Sequence, residues 1–149
     1  MSFYLALKVI HVLAAIIAVG GNLTYSFWLA RAGRDRDRLI WTLESIRRFD
    51  RAIANPAYIA ILVTGVLMVV TLPWSFEQLW LALALVLYVG VAVLGIAVYA
   101  PTIRRQIAEA EQDPRSVDYA RVAARGNRLG IVTTVVVVTI VVLMVTKPG

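Results

Sequence analysis

The sequence predicts an all-α protein built as a bundle of four transmembrane helices. Hydrophobic residues make up 60% of its 149 residues and charged residues only 16%, with a mean hydropathy of +0.78. Four apolar runs lie at residues 3–29, 56–72, 79–99 and 129–145. A helix needs about 20 such residues to cross a hydrocarbon core ~30 Å thick. We therefore expect one integral membrane domain over residues 1–149.

Each run carries its own helix signals. The first is too long for a signal-peptide core and follows no basic segment, so we expect a retained span. The second starts at Asn55-Pro56, typical of an N-cap followed by proline at the first helical position, and ends at Pro73. The fourth includes the β-branched run Val135–Val138, but lipid-embedded backbone must bond internally, so a helix is predicted there too.

Arginine is confined to the two long segments between spans, and this sets the predicted orientation. The short connection at residues 73–78 contains no Lys or Arg, only the acid Glu77. Because Lys and Arg collect on the cytoplasmic side, we predict two long basic cytoplasmic loops and both termini on the outer side. The arginines are Arg31, Arg34, Arg36, Arg38, Arg47, Arg48 and Arg51, then Arg104, Arg105, Arg115, Arg121, Arg125 and Arg128.

The long loops also show helical patterning. In the first, apolar residues recur at helical spacing, which predicts an amphipathic helix that either lies on the leaflet or extends span two inward. We favour a solvated, lipid-facing structural element over a dedicated partner site. In the second, Pro101 and Pro114 are expected to break the chain around short helical extensions of spans three and four. The apolar residues of the first loop are Leu39, Leu43, Ile46, Phe49 and Ile53.

Composition excludes several kinds of site. The chain has no cysteine, so disulfides, thiolate metal sites and iron–sulfur clusters within it are excluded, and one histidine cannot build a zinc cluster. The net charge of +6 is explained by membrane topology, so no nucleic-acid partner is expected. No predicted span carries paired acids, which argues against a carboxylate proton relay. The sequence also lacks the broken helices and midplane charges that are typical of a transporter site.

The lone histidine, His11, lies inside the first apolar run. A stripe at helical spacing joins it to Lys8 and Asn22, with small residues between them. An ionisable group within a span is a functional hypothesis by default. A neutral imidazole in an apolar bundle is typical of axial haem ligation, although His11 could instead hydrogen-bond a neighbouring span. Lys8, one turn away, either pairs with a haem propionate or snorkels outward.

Other spans supply further candidate residues. On an antiparallel pair of spans, Met68 reaches a depth similar to that of His11, so it is a candidate second ligand, although packing is its commoner role. Gly65 allows close helix approach or space for a flat ligand, and Tyr88 lies on a similar small-and-aromatic stripe in span three. Asn22 is expected to bridge helices or to satisfy backbone at a local kink.

Short motifs link the chain to a known family. Residues 8–14 (KVIHVLA), the pair Gly20-Gly21, the pair Thr64-Gly65 and the closing residues 144–148 (MVTKP) resemble a bacterial four-helix integral membrane family of unknown function. The Lys-x-x-His opening is similar to that of HemJ-type protoporphyrinogen oxidases, with a broader likeness to copper-resistance D membrane domains. The resemblance implies a multi-pass protein of the bacterial inner membrane.

In the HemJ-type group a first-span histidine is implicated in haem b binding, which the resemblance carries to His11. A lysine important in a later span has no counterpart here, because residues 79–99 contain no Lys or Arg. This departure argues against protoporphyrinogen oxidation, and one His with three Met makes a poor copper site.

The resulting hypothesis is a membrane-embedded, redox-linked haem b protein with His11 as axial ligand. The alternatives are a cofactor-free accessory subunit of a larger membrane complex and, last, a small-solute or lipid transporter. A homodimer is expected if two copies of His11 share one haem.

Overall fold

Four long helical stretches form the fold in the computed structural model, which describes residues 2–71 and 78–148. They run over Phe3–Ala32, Arg36–Thr71, Leu79–Gln112 and Val117–Thr146, and each is long and apolar enough to cross a membrane. The prediction of an all-α fold with four helices able to span a membrane is therefore confirmed. The predicted span end at Leu72 and Pro73, and the connection holding Glu77, fall outside the described residues.

Six α-helices and two π turns make up these stretches. The first stretch is α1, Phe3–Ala32. The second and third each consist of two α-helices joined through a single π turn, and the fourth is one helix. The remaining bounds are α2, Arg36–Phe49; the first π turn, Asp50–Ala54; α3, Asn55–Thr71; α4, Leu79–Leu94; the second π turn, Gly95–Tyr99; α5, Ala100–Gln112; and α6, Val117–Thr146.

Local sequence explains where the stretches begin and end. The Ser2 hydroxyl caps α1 by accepting from the Leu5 N–H, and the helix ends at Gly33, whose φ of 63° favours glycine. Asp35 then caps α2 by accepting from the Arg38 N–H at 2.9 Å. Ser116 caps α6 in the same way, accepting from the Tyr119 N–H at 3.0 Å. These caps leave only short turns between α1 and α2 and between α5 and α6.

The two segments predicted as long loops are mostly helix, and two of the predicted helix boundaries within them are wrong. Asn55 is not an N-cap, since its φ of −62° and ψ of −46° place it inside a continuous helix. Pro101 likewise lies inside a helix and does not break it. One π turn precedes Pro56 and the other precedes Pro101. In the first the Asn55 N–H donates to Asp50 O, and in the second the Ala100 N–H donates to Gly95 O. The wider turn accommodates a proline that has no N–H to donate and crowds the preceding turn.

The helices α1 and α3 pack antiparallel through small residues. Ala14, Ala18 and Ala57 form a buried cluster between them, and such small side chains allow close backbone approach. Two polar contacts bracket this cluster: His11 with Thr64, and Tyr25 with Asp50. The two contacts are fourteen residues apart on each helix, which is two heptads, so the pairing keeps a constant antiparallel register. The helices α4 and α6 form the other closely packed pair.

The arginine-rich ends of the stretches pack into a second core, which we call the headpiece: α2, α5, the end of α1 and the start of α6. Leu39 and Leu43 are its largest fully buried side chains, at 1% and 0% exposure. The amphipathic helix therefore extends span two, and its apolar face packs against protein instead of lipid. At 1.5 Å per residue the 36-residue stretch is about 54 Å long, about 24 Å more than a ~30 Å hydrocarbon core. The full buried core is Ala32, Leu39, Leu43, Ile46, Ile103, Ile107 and Ala110.

Candidate functional site

His11 lies at the α1–α3 interface, where its ring is half-buried. Its Nδ1 is 2.9 Å from the hydroxyl of Thr64, which is buried at 6% exposure. That hydroxyl donates its one proton to the Ala60 carbonyl at 2.6 Å. It must therefore accept a hydrogen bond from His11, so Nδ1 carries the proton and Nε2 keeps its lone pair. This hydrogen-bond pattern assigns the tautomer in which Nε2 can bind a metal.

Because Gly65 has no side chain, the imidazole ring packs close to α3. A Cβ added at Gly65 would lie 3.3 Å from His11 Cε1, closer than a comfortable carbon–carbon contact. The structure thus brings together two predicted site residues, His11 and Gly65, and Thr64, the residue before Gly65, bonds to the same ring.

Neither Lys8 nor Met68 takes part in this hydrogen bond. Lys8 is exposed and lines an open groove of about 300 Å³ on the surface of α1, with Leu5, Val9, Val12 and Leu13. The residues of α1 that face α3 include His11, Ala14 and Ala18, and Lys8 is exposed to one side of them. Met68 is half-buried one helical turn after Thr64 on α3.

Asn22 and Tyr88 meet at a different level, around Tyr58. The Asn22 amide Nδ2 donates to the Tyr58 hydroxyl at 2.6 Å, and the Tyr88 hydroxyl donates to the Tyr58 carbonyl at 2.6 Å. Asn22 therefore bridges helices, as expected, and Tyr88 joins α4 to α3. Asn22 Oδ1 is buried and has no hydrogen-bond partner among the described residues. At 1.5 Å per residue, Asn22 is about 16 Å from His11 along α1, so the predicted site residues fall into two groups.

A third polar contact was not predicted. The Tyr25 hydroxyl donates to Asp50 Oδ1 at 2.5 Å, and Phe49 packs edge-on against the Tyr25 ring with centroids 6.2 Å apart. In the sequence, Asp50 is one of several charged residues in the first long segment between spans, which we expected to be solvated. Its position, fourteen residues before Thr64, was the one signal that could have placed it on the face toward α1.

The His11 region offers one donor atom of the kind that ligates haem iron. The Nε2 lone pair is available, Thr64 holds the ring through Nδ1, and Gly65 adds no side chain beside it. Haem needs no cluster of protein ligands because the porphyrin supplies four nitrogens. No group of three or more His, Cys, Asp or Glu side chains that could hold a bare metal ion occurs in the described part of the chain.

Fold and composition together define a class, the four-helix integral membrane proteins with a polar interface between the first two spans. Within that class the chain belongs to the family described as "predicted integral membrane protein (DUF2269)", whose model matches residues 5–148. The sequence resemblance to a four-helix membrane family is thereby confirmed. No solved structure matches the chain.

A curated relative also matches. The chain is 33% identical over 115 residues to a protoporphyrinogen IX oxidase of Cereibacter sphaeroides. The match covers 71% of this chain and 66% of that protein, a little under two thirds of its length. This similarity supports the predicted likeness to the HemJ-type group.

Proposed function

We propose that this chain is a membrane-embedded haem b protein with a redox-linked activity, in which His11 Nε2 is an axial ligand of the iron. The observation that carries the proposal is the His11–Thr64 hydrogen bond, which leaves Nε2 unprotonated. A ligating histidine almost always donates its other N–H to a neighbouring acceptor, and that acceptor fixes the orientation of the ring. Thr64 supplies such an acceptor inside the protein.

The other residues have narrower roles in this proposal. Gly65 lets the ring pack close to α3, and Met68 or a second copy's histidine in a homodimer would help His11 hold the iron. Lys8 neutralises a propionate, or else snorkels to the surface. Asn22 and Tyr88 hold α1, α3 and α4 together around Tyr58 and so fix the width of the bundle. When bound, the haem would supply one-electron redox chemistry.

The relative is a protoporphyrinogen IX oxidase, but we do not extend that reaction to this chain. The third stretch contains no Lys or Arg before Arg104, so the lysine expected of the HemJ-type group has no counterpart. We further propose that the headpiece faces the cytoplasm of a bacterial inner membrane, with both termini outside, because every arginine lies in or beside it.

An absorption spectrum tests the proposal. The chain, expressed with a haem precursor and purified in mild detergent, should show a Soret band with b-type features. His11→Ala should abolish that band because no other histidine can replace the ligand. Val12→Ala, at the next residue and on the exposed surface, should leave it intact. A His11→Ala protein with a wild-type Soret band would remove His11 from the site.

A second candidate, a cofactor-free accessory subunit of a larger membrane complex, has one observation in its favour. The Thr64 contact satisfies Nδ1 within the bundle, and the alanines beside it pack closely, so His11 can serve packing alone. A colourless protein that co-purifies with other subunits in fixed ratio would support this candidate against the first.

A further inference from the structure

Three arginines meet in a pocket between α5 and α6, on the headpiece. The pocket has a volume of about 110 Å³ and is lined by Arg105, Asp118, Arg121, Val122 and Arg125. On α6, Arg125 is four residues before the apolar run that starts at position 129, and on α5, Arg105 is five residues after position 100. The pocket therefore lies close to the level at which both helices enter the membrane.

The pocket carries excess positive charge. Asp118 Oδ1 is 3.1 Å from Arg121 Nη1, and Arg105 Nε is 3.7 Å from Glu109. The side chains of Arg105 and Arg121 are 67% and 74% exposed, so these ion pairs are weak and the remaining guanidinium N–H groups can still bind a ligand. Arg125 makes no ion pair within residues 2–71 and 78–148.

We propose that this pocket binds the phosphate headgroup of an anionic phospholipid. Guanidinium groups present paired N–H donors that match phosphate oxygens, and basic pockets between membrane helices are suited to such headgroups. Val122, buried at 6% exposure, provides an apolar wall beside the arginines. A phospholipid presents this combination at the membrane boundary, with a phosphate anion joined to apolar chains. Free phosphate would use the arginines but gain nothing from Val122 or from the neighbouring bilayer.

Lipid binding to the purified full chain tests the proposal. Short-chain phosphatidylglycerol is titrated into protein held in neutral detergent micelles, and the bound lipid is counted by native mass spectrometry. Arg125→Gln should weaken binding about tenfold or more, because it removes a charge-assisted hydrogen bond to the phosphate. Arg128→Gln removes the same charge from the same helix, outside the pocket, and should change the affinity less than twofold. Arg125→Lys, which keeps the charge, should retain an intermediate affinity.

Several results would overturn the proposal. Equal weakening by Arg125→Gln and Arg128→Gln would show general attraction to basic residues instead of a defined pocket. Phosphatidylcholine binding as tightly as phosphatidylglycerol would exclude recognition of the anionic headgroup. Full competition by millimolar inorganic phosphate would assign the pocket to a soluble anion. Far-UV circular dichroism of each variant confirms that it is folded, and none of these readouts depends on haem.

Discussion

The Tyr25 hydroxyl donates a 2.5 Å hydrogen bond to the Asp50 carboxylate and so ties the last third of α1 to the first residue of a π turn. This contact stands at the boundary between the headpiece core and the alanine-lined α1–α3 interface. It fixes the register of the two helices at one end, and His11–Thr64 fixes it at the other.

The Tyr25–Asp50 contact predicts strong coupling between the two residues. A hydrogen bond to a charged group contributes about 1.5–3 kcal/mol, so Tyr25→Phe and Asp50→Asn should each lower the free energy of unfolding by an amount of that order. A double-mutant cycle measured by denaturation in mixed micelles should give a coupling energy above about 1 kcal/mol. Strictly additive effects would contradict the contact. Tyr4→Phe removes the same atom from another half-buried tyrosine of α1 and serves as the control.

Thr64→Val should disturb haem binding without unfolding the protein. Valine has the shape of threonine but offers His11 Nδ1 no acceptor, so the ring loses the group that orients it. Loss of such a supporting hydrogen bond reduces metal-site affinity about 10–100-fold, which haem retention on a desalting column would measure. Thr71→Val is the matched control, because Thr71 is exposed on the same helix and its hydroxyl also donates to a helix carbonyl. Equal haem retention in both variants would separate Thr64 from the site.

Gly65→Ala should displace the imidazole ring. The new Cβ would lie 3.3 Å from His11 Cε1, so the ring must move by a few tenths of an ångström. We expect a shifted Soret maximum or reduced haem content, measured by absorption spectroscopy. Gly90→Ala places a methyl group where nothing lies within 4 Å and should leave the spectrum unchanged. A wild-type spectrum in the Gly65→Ala protein would contradict close packing between Gly65 and the ring.

Gly21→Ala should destabilise the bundle through a different contact. Its Cβ would lie 2.5 Å from Phe49 Cε1, so either the aromatic ring or the helix must shift. Overpacking of this kind costs about 1–3 kcal/mol, which should lower the thermal unfolding midpoint. Gly20→Ala, at the neighbouring residue, meets nothing within 4 Å and should be neutral or slightly stabilising because alanine favours helix. Midpoints that fall equally for both variants would indicate a general effect of glycine replacement.

Leu43→Ala should be far more damaging than an equivalent change in the membrane half. Leu43 is fully buried in the headpiece core, and leucine-to-alanine changes in such cores cost about 2–5 kcal/mol. Leu83→Ala, on a side chain 43% exposed in α4, creates no enclosed cavity and should have a small effect. Chemical denaturation of both variants in the same detergent makes the comparison. A similar loss in each would place the main stabilising core within the membrane half instead.

Much of the architecture could be predicted from the sequence because hydropathy determines it. Four apolar runs give four helices, and the spacing of Leu39, Leu43 and Ile46 predicts an amphipathic helix, since both are properties of single segments. The continuity of the helix through Pro56 was only one of two alternatives, and the continuity through Pro101 was missed. Local rules make proline a helix start or a break, and the π turns that accommodate it here depend on how the surrounding helices pack.

The candidate site could be predicted from the sequence only in part. His11 was placed in a helix interface because an ionisable group in a span avoids lipid. Lys8 was assigned to the same stripe, but it is exposed to one side of the α1 residues that face α3. Asp50 was missed because its neighbours Arg47, Arg48 and Arg51 made it look solvated. Each error concerns which side of a helix a polar residue occupies, and that depends on the partner helix.

The heptad register between α1 and the second stretch limits how this family can change in length. One residue inserted between the two polar contacts would rotate everything beyond it by about 100°, which would turn either the imidazole or the phenol away from its partner. Viable indels in this part of α1 should therefore come in sevens or be matched on the opposing helix. Length variation among homologues should instead occur in the turns between α1 and α2 and between α5 and α6, where an insertion affects neither contact.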